Sequence, residues 1–208
     1  MRIVQLDKET KKNILSDLLK RDPNQYGEYE ATVKEIVENV RHNGDEALKE
    51  YTLQFDHTEL DTRKMLVGDD EIAEAESLVD PELKQVMQKS LENIRNYHKK
   101  QLRTSWFDAQ PNGTILGQKV TPLTRVVVYV PGGKAAYPST VLMNIVPASV
   151  AGVPEIVMVT PPGKDGKVNP VTLTAAKMAG ATKIYKVGGA QAIAALAFGT
   201  ATVPKVDK

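Results

Sequence analysis

The sequence contains no cysteine among its 208 residues. Disulfide bonds and thiolate zinc sites are therefore excluded, and nothing in the composition points to an oxidising compartment. The charges are nearly balanced, since 27 Lys and Arg residues stand against 26 Asp and Glu residues and leave a net charge of +1. The sequence thus predicts neither a broad basic surface for nucleic acid nor an acidic tail for a charged partner.

Long apolar runs are absent as well. No stretch approaches the roughly 18 apolar residues of a membrane-spanning helix, and the opening MRIVQLDKETKKN lacks the apolar segment of a signal peptide. We therefore expect a soluble, cytoplasmic protein with no membrane partner. Hydrophobic residues make up 41% of the chain, which suffices for a buried core in one or two domains.

The first 124 residues are charged and mostly helical in pattern. Apolar residues recur at helical spacing in 8–20 and 29–41, and Asp80-Pro81 has the residue types that begin a helix. Alternation around Pro111–Gly113 predicts a β-hairpin. We assign 1–124 to a mostly helical region that forms part of a larger domain. The predicted apolar face of the long helix after Asp80 comprises Leu83, Val86, Met87, Leu91, Ile94 and Tyr97.

From residue 125 onward, apolar strands alternate with helical patterns. This β-α-β-α-β-α order with short loops predicts an α/β fold, in which a parallel sheet is buried on both faces. We assign 125–208 to a Rossmann-like domain that is incomplete. The predicted strands are 125–130, 155–160 and 183–187, and the predicted helices are 139–151, 170–178 and 190–198.

Each strand is followed by a loop rich in glycine or proline. The carboxyl ends of parallel strands meet at one sheet edge, where ligands bind. Glycine lets backbone N–H groups approach a ligand, and a helix N-terminus favours an anion such as a pyrophosphate. We therefore predict a nucleotide-sized crevice there, although ordinary turn formation explains each single loop as well. Its predicted wall residues are Pro131, Gly132, Gly133 and Gly189.

Three side chains near these loops are candidates for ligand contact. Tyr129 ends the first strand, where it either stacks on or hydrogen-bonds a ligand or is an ordinary strand aromatic. Gln191 is the first long polar side chain after the third loop, and Ser139 has the residue type of a helix N-cap. The standard dinucleotide fingerprint is missing, since 131–139 has no G-x-G-x-x-G and no acidic residue ends the strand 155–160.

Long segments of the sequence closely resemble the histidinol dehydrogenase family. The resemblance extends over essentially the whole chain. It implies the NAD-dependent four-electron oxidation of L-histidinol to L-histidine through L-histidinal, which ends histidine biosynthesis, by a homodimer with a zinc ion in each active site. The segments are YVPGGKAAYPSTVLMNIVPASVAGVPEIVMVTPP, VNPVTLTAAKMAGATKIYKVGGAQAIAALAFGTATVPKVDK, EYTLQFDHTELD, NIRNYHKKQ and LGQKVTPLTRV.

The resemblance also implies roles for individual residues. It implies that Tyr129 and Gln191 contact NAD and that Ser139 lies on the substrate side. The family's Glu-His acid–base pair and its zinc ligands, a glutamine, two histidines and an aspartate, are implied to lie beyond residue 208. No catalytic residue and no metal ligand is therefore predicted within this chain, and we expect the chain alone to be inactive.

The three histidines, His42, His57 and His98, show neither an i, i+4 pair nor an H-E-x-x-H pattern. A solvated loop explains His57 between Asp56 and Glu59 better than a metal site does. Two hypotheses follow from the sequence. The chain is either the N-terminal part of a zinc- and NAD-dependent enzyme, or a non-catalytic dinucleotide- or phosphate-binding module. A downstream coding sequence with a Glu-His pair favours the first.

Overall fold

The computed structural model describes residues 7–12, 27–132 and 136–208. Its helices are α1 (Gly27–Asn43), α2 (Asp45–Asp56), α3 (Asp69–Leu78), α4 (Pro81–Lys99), α5 (Pro138–Val150), α6 (Pro170–Ala179) and α7 (Gly189–Phe198). Its strands are β1 (Trp106–Ala109), β2 (Ile115–Gln118), β3 (Arg125–Tyr129), β4 (Glu155–Thr160) and β5 (Lys183–Lys186). The predicted α/β class is confirmed. Of the helix predicted at 8–20, residues 8–12 are helical and the rest lie outside the described residues.

The strands β3, β4 and β5 form a parallel sheet in that order. Arg125 lies opposite Glu155, and Val157 lies opposite Lys183. The middle strand is buried along nearly its whole length, because helices cover both faces of the sheet. Continuous apolar runs therefore suit these strands better than an alternation of apolar and polar residues.

Segments outside the three strands pair with both edges of the sheet. Residues 65–67 pair antiparallel with β5. On the other edge, the Asp207 N–H donates to the Arg125 carbonyl at 2.9 Å, and the Val127 N–H donates to the Lys208 carbonyl at 2.8 Å. The last two residues therefore run alongside β3 in the same direction as that strand.

Helices from both halves of the sequence cover the sheet. On one face α3, α4, α5 and α6 share a core with residues such as Val128, Ile145, Met158 and Leu173. On the other face α1, α2 and α7 share a core with residues such as Leu48, Val157, Val159 and Leu196. The sequence boundary near residue 124 remains a prediction. None of the described helices is long and apolar enough to span a membrane.

Helix α4 begins where the sequence predicts, but the face that it buries is narrower than the predicted apolar face. The Asp80 carboxylate accepts the N–H groups of Glu82 and Leu83 at 2.7 and 3.2 Å, which caps the helix. The predicted positions Val86 and Tyr97 are wrong, because both side chains are exposed. Each residue turns the helix by about 100°, so both positions point well away from the buried Met87 and Leu91.

A buried ion pair links α3 to the end of β5. The Lys186 ammonium lies 2.7 Å from a Glu71 carboxylate oxygen, and these side chains are only 8% and 16% exposed. A similar pair, Lys167 with Glu74 at 2.7 Å, has both side chains 52% exposed. The buried pair therefore stabilises the packing of α3 against the sheet only while both partners are present.

The Pro161 ring packs the three loops at the carboxyl edge of the sheet against one another. The Pro161 ring, in the loop after β4, lies between Gly132 and Gly188, which belong to the loops on either side. A Cβ added at Gly188 would lie 2.6 Å from the Pro161 Cβ, and one at Gly132 would meet the Pro161 Cγ. Glycine at both positions thus allows the three loops to pack together.

We expect Glu71→Leu to lower the free energy of unfolding by about 3–5 kcal/mol, because it leaves the Lys186 ammonium buried without a counter-charge. The double variant Glu71→Leu/Lys186→Met should recover most of that loss. The control Glu74→Leu breaks the exposed pair and should cost less than about 1 kcal/mol. Urea denaturation measures all three, and equal losses for the two single variants would contradict the assignment.

We also expect Gly132→Ala to destabilise the fold by about 1–3 kcal/mol, since the new methyl group overlaps the Pro161 ring. Pro161→Ala removes Cγ and Cδ, so most of this loss should disappear in the double variant. Gly188→Ala should remain destabilising in the double variant with Pro161→Ala. The alanine at 161 retains its Cβ, and that atom is the one that a Cβ at 188 would meet. Thermal unfolding of the three single variants and the two double variants tests this difference. Equal rescue of both glycine substitutions by Pro161→Ala would contradict the proposed packing of the Pro161 ring.

Candidate functional site

The loops after β3, β4 and β5 lie together at the carboxyl edge of the sheet, as the sequence predicts. A cavity of about 440 Å³ opens between the first two loops, beside α3 and the start of α6, and its size is within the range of small-molecule sites. The space next to Gly132 is filled by the Pro161 ring rather than left open for a ligand. Gly133 lies outside the described residues.

The helix N-termini that meet this edge differ in their free hydrogen-bond donors. At the start of α6, the Asn169 side chain accepts the N–H groups of Val171 and Thr172 at 3.0 and 3.4 Å. At the start of α7, Gly188 provides no side-chain cap. The first turn of α7 therefore has no cap from its own N-cap residue, and the positive end of its dipole favours an anion or an acceptor such as the Tyr129 hydroxyl.

Tyr129 crosses from the end of β3 to the start of α7. Its hydroxyl oxygen accepts the Gly189 N–H at 3.0 Å, and its side chain is 37% exposed. Gly189 has φ of 65°, in the left-handed region that favours glycine. The tyrosine thus fixes the first turn of α7 while part of its ring remains accessible at the edge of the sheet.

Gln191 lies in the same turn and is only 1% exposed. Neither its amide nitrogen nor its amide oxygen has a hydrogen-bond partner in the part of the chain that the structure describes. The amide folds back over Gly189, and its oxygen occupies the space that a Cβ there would need. A buried amide without partners costs about 1–3 kcal/mol, so this position is suited to a ligand that supplies the missing hydrogen bonds.

The structure places Ser139 differently from the sequence prediction. Helix α5 begins at Pro138 after the N-cap residue Tyr137, so the prediction that Ser139 is the N-cap is wrong. Proline is favoured at the first helical position, which moves the helix start one residue earlier. Ser139 is exposed, on a helix that covers the opposite face of the sheet from α7. Pro131 is exposed at the end of β3.

A hook at the end of α2, formed by residues 56–58, reaches the same edge and is not among the contacts that the sequence predicts. His57 ends the helix in the left-handed region, with φ of 56°. The Thr58 hydroxyl then donates to the Gly163 carbonyl at 3.0 Å. One carboxylate oxygen of Asp56 is buried without a partner among the described residues, and burial raises the pKa of this group. No local sequence signal indicates this contact, because it joins residues about 100 positions apart.

The described residues do not fit a zinc site. Across residues 7–12, 27–132 and 136–208, no three His, Cys, Asp or Glu side chains come close enough together to hold a metal ion. His42 is engaged with the Glu38 carbonyl at 2.8 Å, and His98 with the Gln101 side chain at 2.6 Å. The chemistry that this part of the chain offers is therefore hydrogen bonding at the start of α7 rather than metal binding.

Comparison with known proteins agrees with the family resemblance. The family model described as histidinol dehydrogenase matches residues 19–208. The histidinol dehydrogenase of Bacillus subtilis (strain 168) is 55% identical over 181 residues, covering 87% of this chain and 42% of that protein. That of Clostridium acetobutylicum is 50% identical over 208 residues, covering 100% of this chain and 48% of that protein. The chain thus spans less than half the length of these relatives.

The crystal structure of histidinol dehydrogenase from Elizabethkingia anophelis has the same fold over the matched region. It superimposes with a TM-score of 0.81 at 34% identity, and the match covers 100% of this chain and 43% of that one. The family match therefore includes the sheet, the helices on both of its faces and the three loops at its carboxyl edge. The chain belongs to the histidinol dehydrogenase family.

Proposed function

We propose that the chain forms the N-terminal, NAD-binding part of an enzyme that oxidises L-histidinol to L-histidine through L-histidinal. The observation that supports this most directly is the buried Gln191 amide, which has no hydrogen-bond partner among the described residues and lies next to a helix N-terminus without a side-chain cap from Gly188. NAD⁺, when bound, accepts a hydride in each of the two oxidation steps. A homodimer in the cytoplasm is part of the same proposal.

The groups at the start of α7 suit a dinucleotide. The Gln191 amide offers two N–H donors and one carbonyl acceptor, which match the carboxamide, hydroxyl and phosphate groups of NAD. Beyond the Gly189 N–H, which the Tyr129 hydroxyl accepts, the N-terminus of α7 favours a phosphate. The accessible part of the Tyr129 ring provides a stacking surface. In this proposal Pro131, Gly132, Gly133 and Gly189 form the wall of the site. Ser139 is proposed to lie on the substrate side.

Removal of a hydride from an alcohol also requires a base for the hydroxyl proton. The described residues bring together no metal cluster, and this chain carries no candidate for the family's Glu-His pair. We propose that the acid–base pair and the zinc ligands belong to the part of the relatives that this chain does not match. The 208-residue chain should then bind NAD without oxidising L-histidinol.

A second candidate function is a dinucleotide- or phosphate-binding module without catalysis. Two observations favour it. The described residues offer a turn suited to binding at the start of α7, and they bring together no metal cluster. The two proposals differ in whether catalysis appears when the missing part of the enzyme is supplied. Production of NADH from L-histidinol by the longer protein, but not by the 208-residue chain, supports the enzyme part.

We expect calorimetric titration of the chain with NAD⁺ to show saturable binding that Gln191→Met weakens by about 10- to 100-fold, the equivalent of one or two lost hydrogen bonds. The same substitution should leave the free chain as stable or more stable, because it removes a buried amide without partners but keeps a similar shape. These two effects have opposite signs, which distinguishes a ligand-binding role from a role in folding.

The exposed Gln85 on α4 provides the matched control, and Gln85→Met should change neither property. Tyr129→Phe removes the acceptor of the Gly189 N–H and should weaken NAD⁺ binding less than Gln191→Met does. Unaltered NAD⁺ affinity in Gln191→Met would count against the proposed role of the amide. Absence of any binding by the folded chain would show that the site is not formed within these residues.

A further inference from the structure

The loop between β4 and α6 is folded into a compact turn by its own hydrogen bonds. The Gly163 N–H donates to the Lys167 carbonyl at 2.8 Å, and the Gly166 N–H donates to the Gly163 carbonyl at 2.8 Å. The Asp165 carboxylate accepts the Lys167 N–H at 3.1 Å. These bonds close residues 163–167 on themselves, so a displacement at one end of the turn is carried to the other end.

Two side chains from other elements hold this turn from outside. The Thr58 hydroxyl, in the hook after α2, donates to the Gly163 carbonyl at 3.0 Å, and Thr58 is only 6% exposed. One Glu71 carboxylate oxygen, on α3, accepts the Val168 N–H at 3.4 Å. The other oxygen lies 2.7 Å from the Lys186 ammonium at the end of β5. The Glu71 carboxylate therefore contacts both the loop after β4 and the strand that leads into α7.

Two consecutive prolines connect the turn to the start of α7. Pro161 and Pro162 separate the end of β4 from Gly163, and each proline ring fixes its own φ near about −65°. The segment between the Gly163 carbonyl and the Pro161 ring thus has few free rotations. The Pro161 ring lies against Gly188, which is the N-cap residue of α7. A shift of Gly163 is therefore transmitted through the prolines to the first turn of α7.

The polar atoms of Thr58 and Glu71 find their partners within the fold. A threonine hydroxyl has a single proton to donate, and the Gly163 carbonyl lies nearer to it than the Asp56 carbonyl does, at 3.0 against 3.3 Å. Both carboxylate oxygens of Glu71 have hydrogen-bond donors. The two side chains thus act on the start of α7 through the loop rather than by touching a ligand.

We propose that Thr58 and Glu71 are positioning residues for the first turn of α7. They hold the loop after β4 where the Pro161 ring fixes Gly188. The turn that follows then keeps the Gln191 amide buried and ready for a ligand. The effect on NAD affinity rests on the proposed function, whereas the effect on the placement of α7 depends on no ligand.

The variant Thr58→Val keeps the shape of the side chain and removes the hydroxyl. We expect it to weaken NAD⁺ binding to the chain by about 3- to 10-fold, the equivalent of one lost hydrogen bond. Amide hydrogen exchange should become about 10-fold faster at Gly189 and Ala192, whose N–H groups are hydrogen-bonded in the first turn of α7. Thr58→Ser retains the hydroxyl and should restore both values.

The matched control is Thr202→Val. The Thr202 hydroxyl also links two distant segments, since it donates to the Asp45 carboxylate at 2.6 Å, but it lies beyond the C-terminal end of α7. A hydrogen bond to a carboxylate is stronger than one to a carbonyl, so the control should lower the midpoint of thermal unfolding at least as far as Thr58→Val does. It should leave NAD⁺ affinity and exchange at Gly189 unchanged. Parallel effects of the two variants would overturn the proposal, because they would indicate general destabilisation.

The double variant Glu71→Leu/Lys186→Met tests the second contact. It removes both buried charges, so it should be more stable than Glu71→Leu alone, yet it leaves the Val168 N–H without its acceptor. We expect its NAD⁺ binding to remain at least about 3-fold weaker than that of the original chain, with faster exchange at Gly189. Recovery of affinity and exchange together with stability would overturn the role of Glu71.

The two readouts separate this inference from the proposed function. If Gln191→Met weakens NAD⁺ binding but Thr58→Val changes neither affinity nor exchange, the positioning role is refuted and the proposed function stands. If the folded chain binds no NAD⁺, the proposed function fails and exchange at Gly189 decides the positioning role. Faster exchange in Thr58→Val but not in Thr202→Val then supports that role, and equal exchange refutes it. Far-UV circular dichroism checks folding, and the Glu71→Leu/Lys186→Met variant gives the same two readouts if Thr58→Val does not fold.

Discussion

The carboxyl edge of the sheet depends on the packing of Pro161 between Gly132 and Gly188. This single ring fixes the spacing of three loops that leave three different strands. Because the loop after β5 leads directly into α7, its position also sets where the first turn of that helix stands relative to β3. At that spacing the Tyr129 hydroxyl accepts the Gly189 N–H at 3.0 Å. Close packing of backbone and proline, rather than a ligand, therefore explains why glycine is needed at these two positions.

The packed loops hold two polar groups in buried positions where the described residues give them no hydrogen-bond partner. A flexible turn would turn its side chains toward water, whereas the first turn of α7 holds the Gln191 amide inside the structure. The Asp56 carboxylate is a related case, since burial raises its pKa at the end of a hook that is tied to the loop after β4. Groups that are costly to the free protein are typical of functional sites, where a ligand compensates for the cost. The fold thus stabilises an arrangement that its own residues leave incomplete.

Local patterns predict most of this architecture, and contacts between distant residues explain what they miss. The strands of the sheet are recognisable because burial on both faces demands continuous apolar runs, and α4 starts where Asp80 and Pro81 predict. The predictions for Val86 and Tyr97 are wrong because the apolar stripe of six residues is wider than the one helix face that α4 buries. Ser139 was misplaced because Pro138 takes the first helical position. Neither the Pro161 contact nor the hook at Thr58 has a local signal, since each forms only after the chain has folded. The sequence singles out Tyr129 and Gln191 because both positions adjoin strand ends, where the topology of a parallel sheet brings loops together, and their contact with a ligand stays a prediction.

The two ends of the sheet differ in the kind of surface that they leave incomplete among the described residues. At the carboxyl edge the unmet requirement is a few hydrogen bonds in a confined space, which a small polar molecule can satisfy and a flat protein surface cannot. At the amino end the unmet requirement is exposed apolar area on a two-stranded hairpin, which no small ligand covers. The Asp207 carboxylate accepts the backbone N–H groups of Thr124 and Arg125 at the start of β3, and β3 in turn ends at Tyr129. The same strand therefore joins the hydrogen bonds of Asp207 at one end of the sheet to the tyrosine that holds the first turn of α7 at the other.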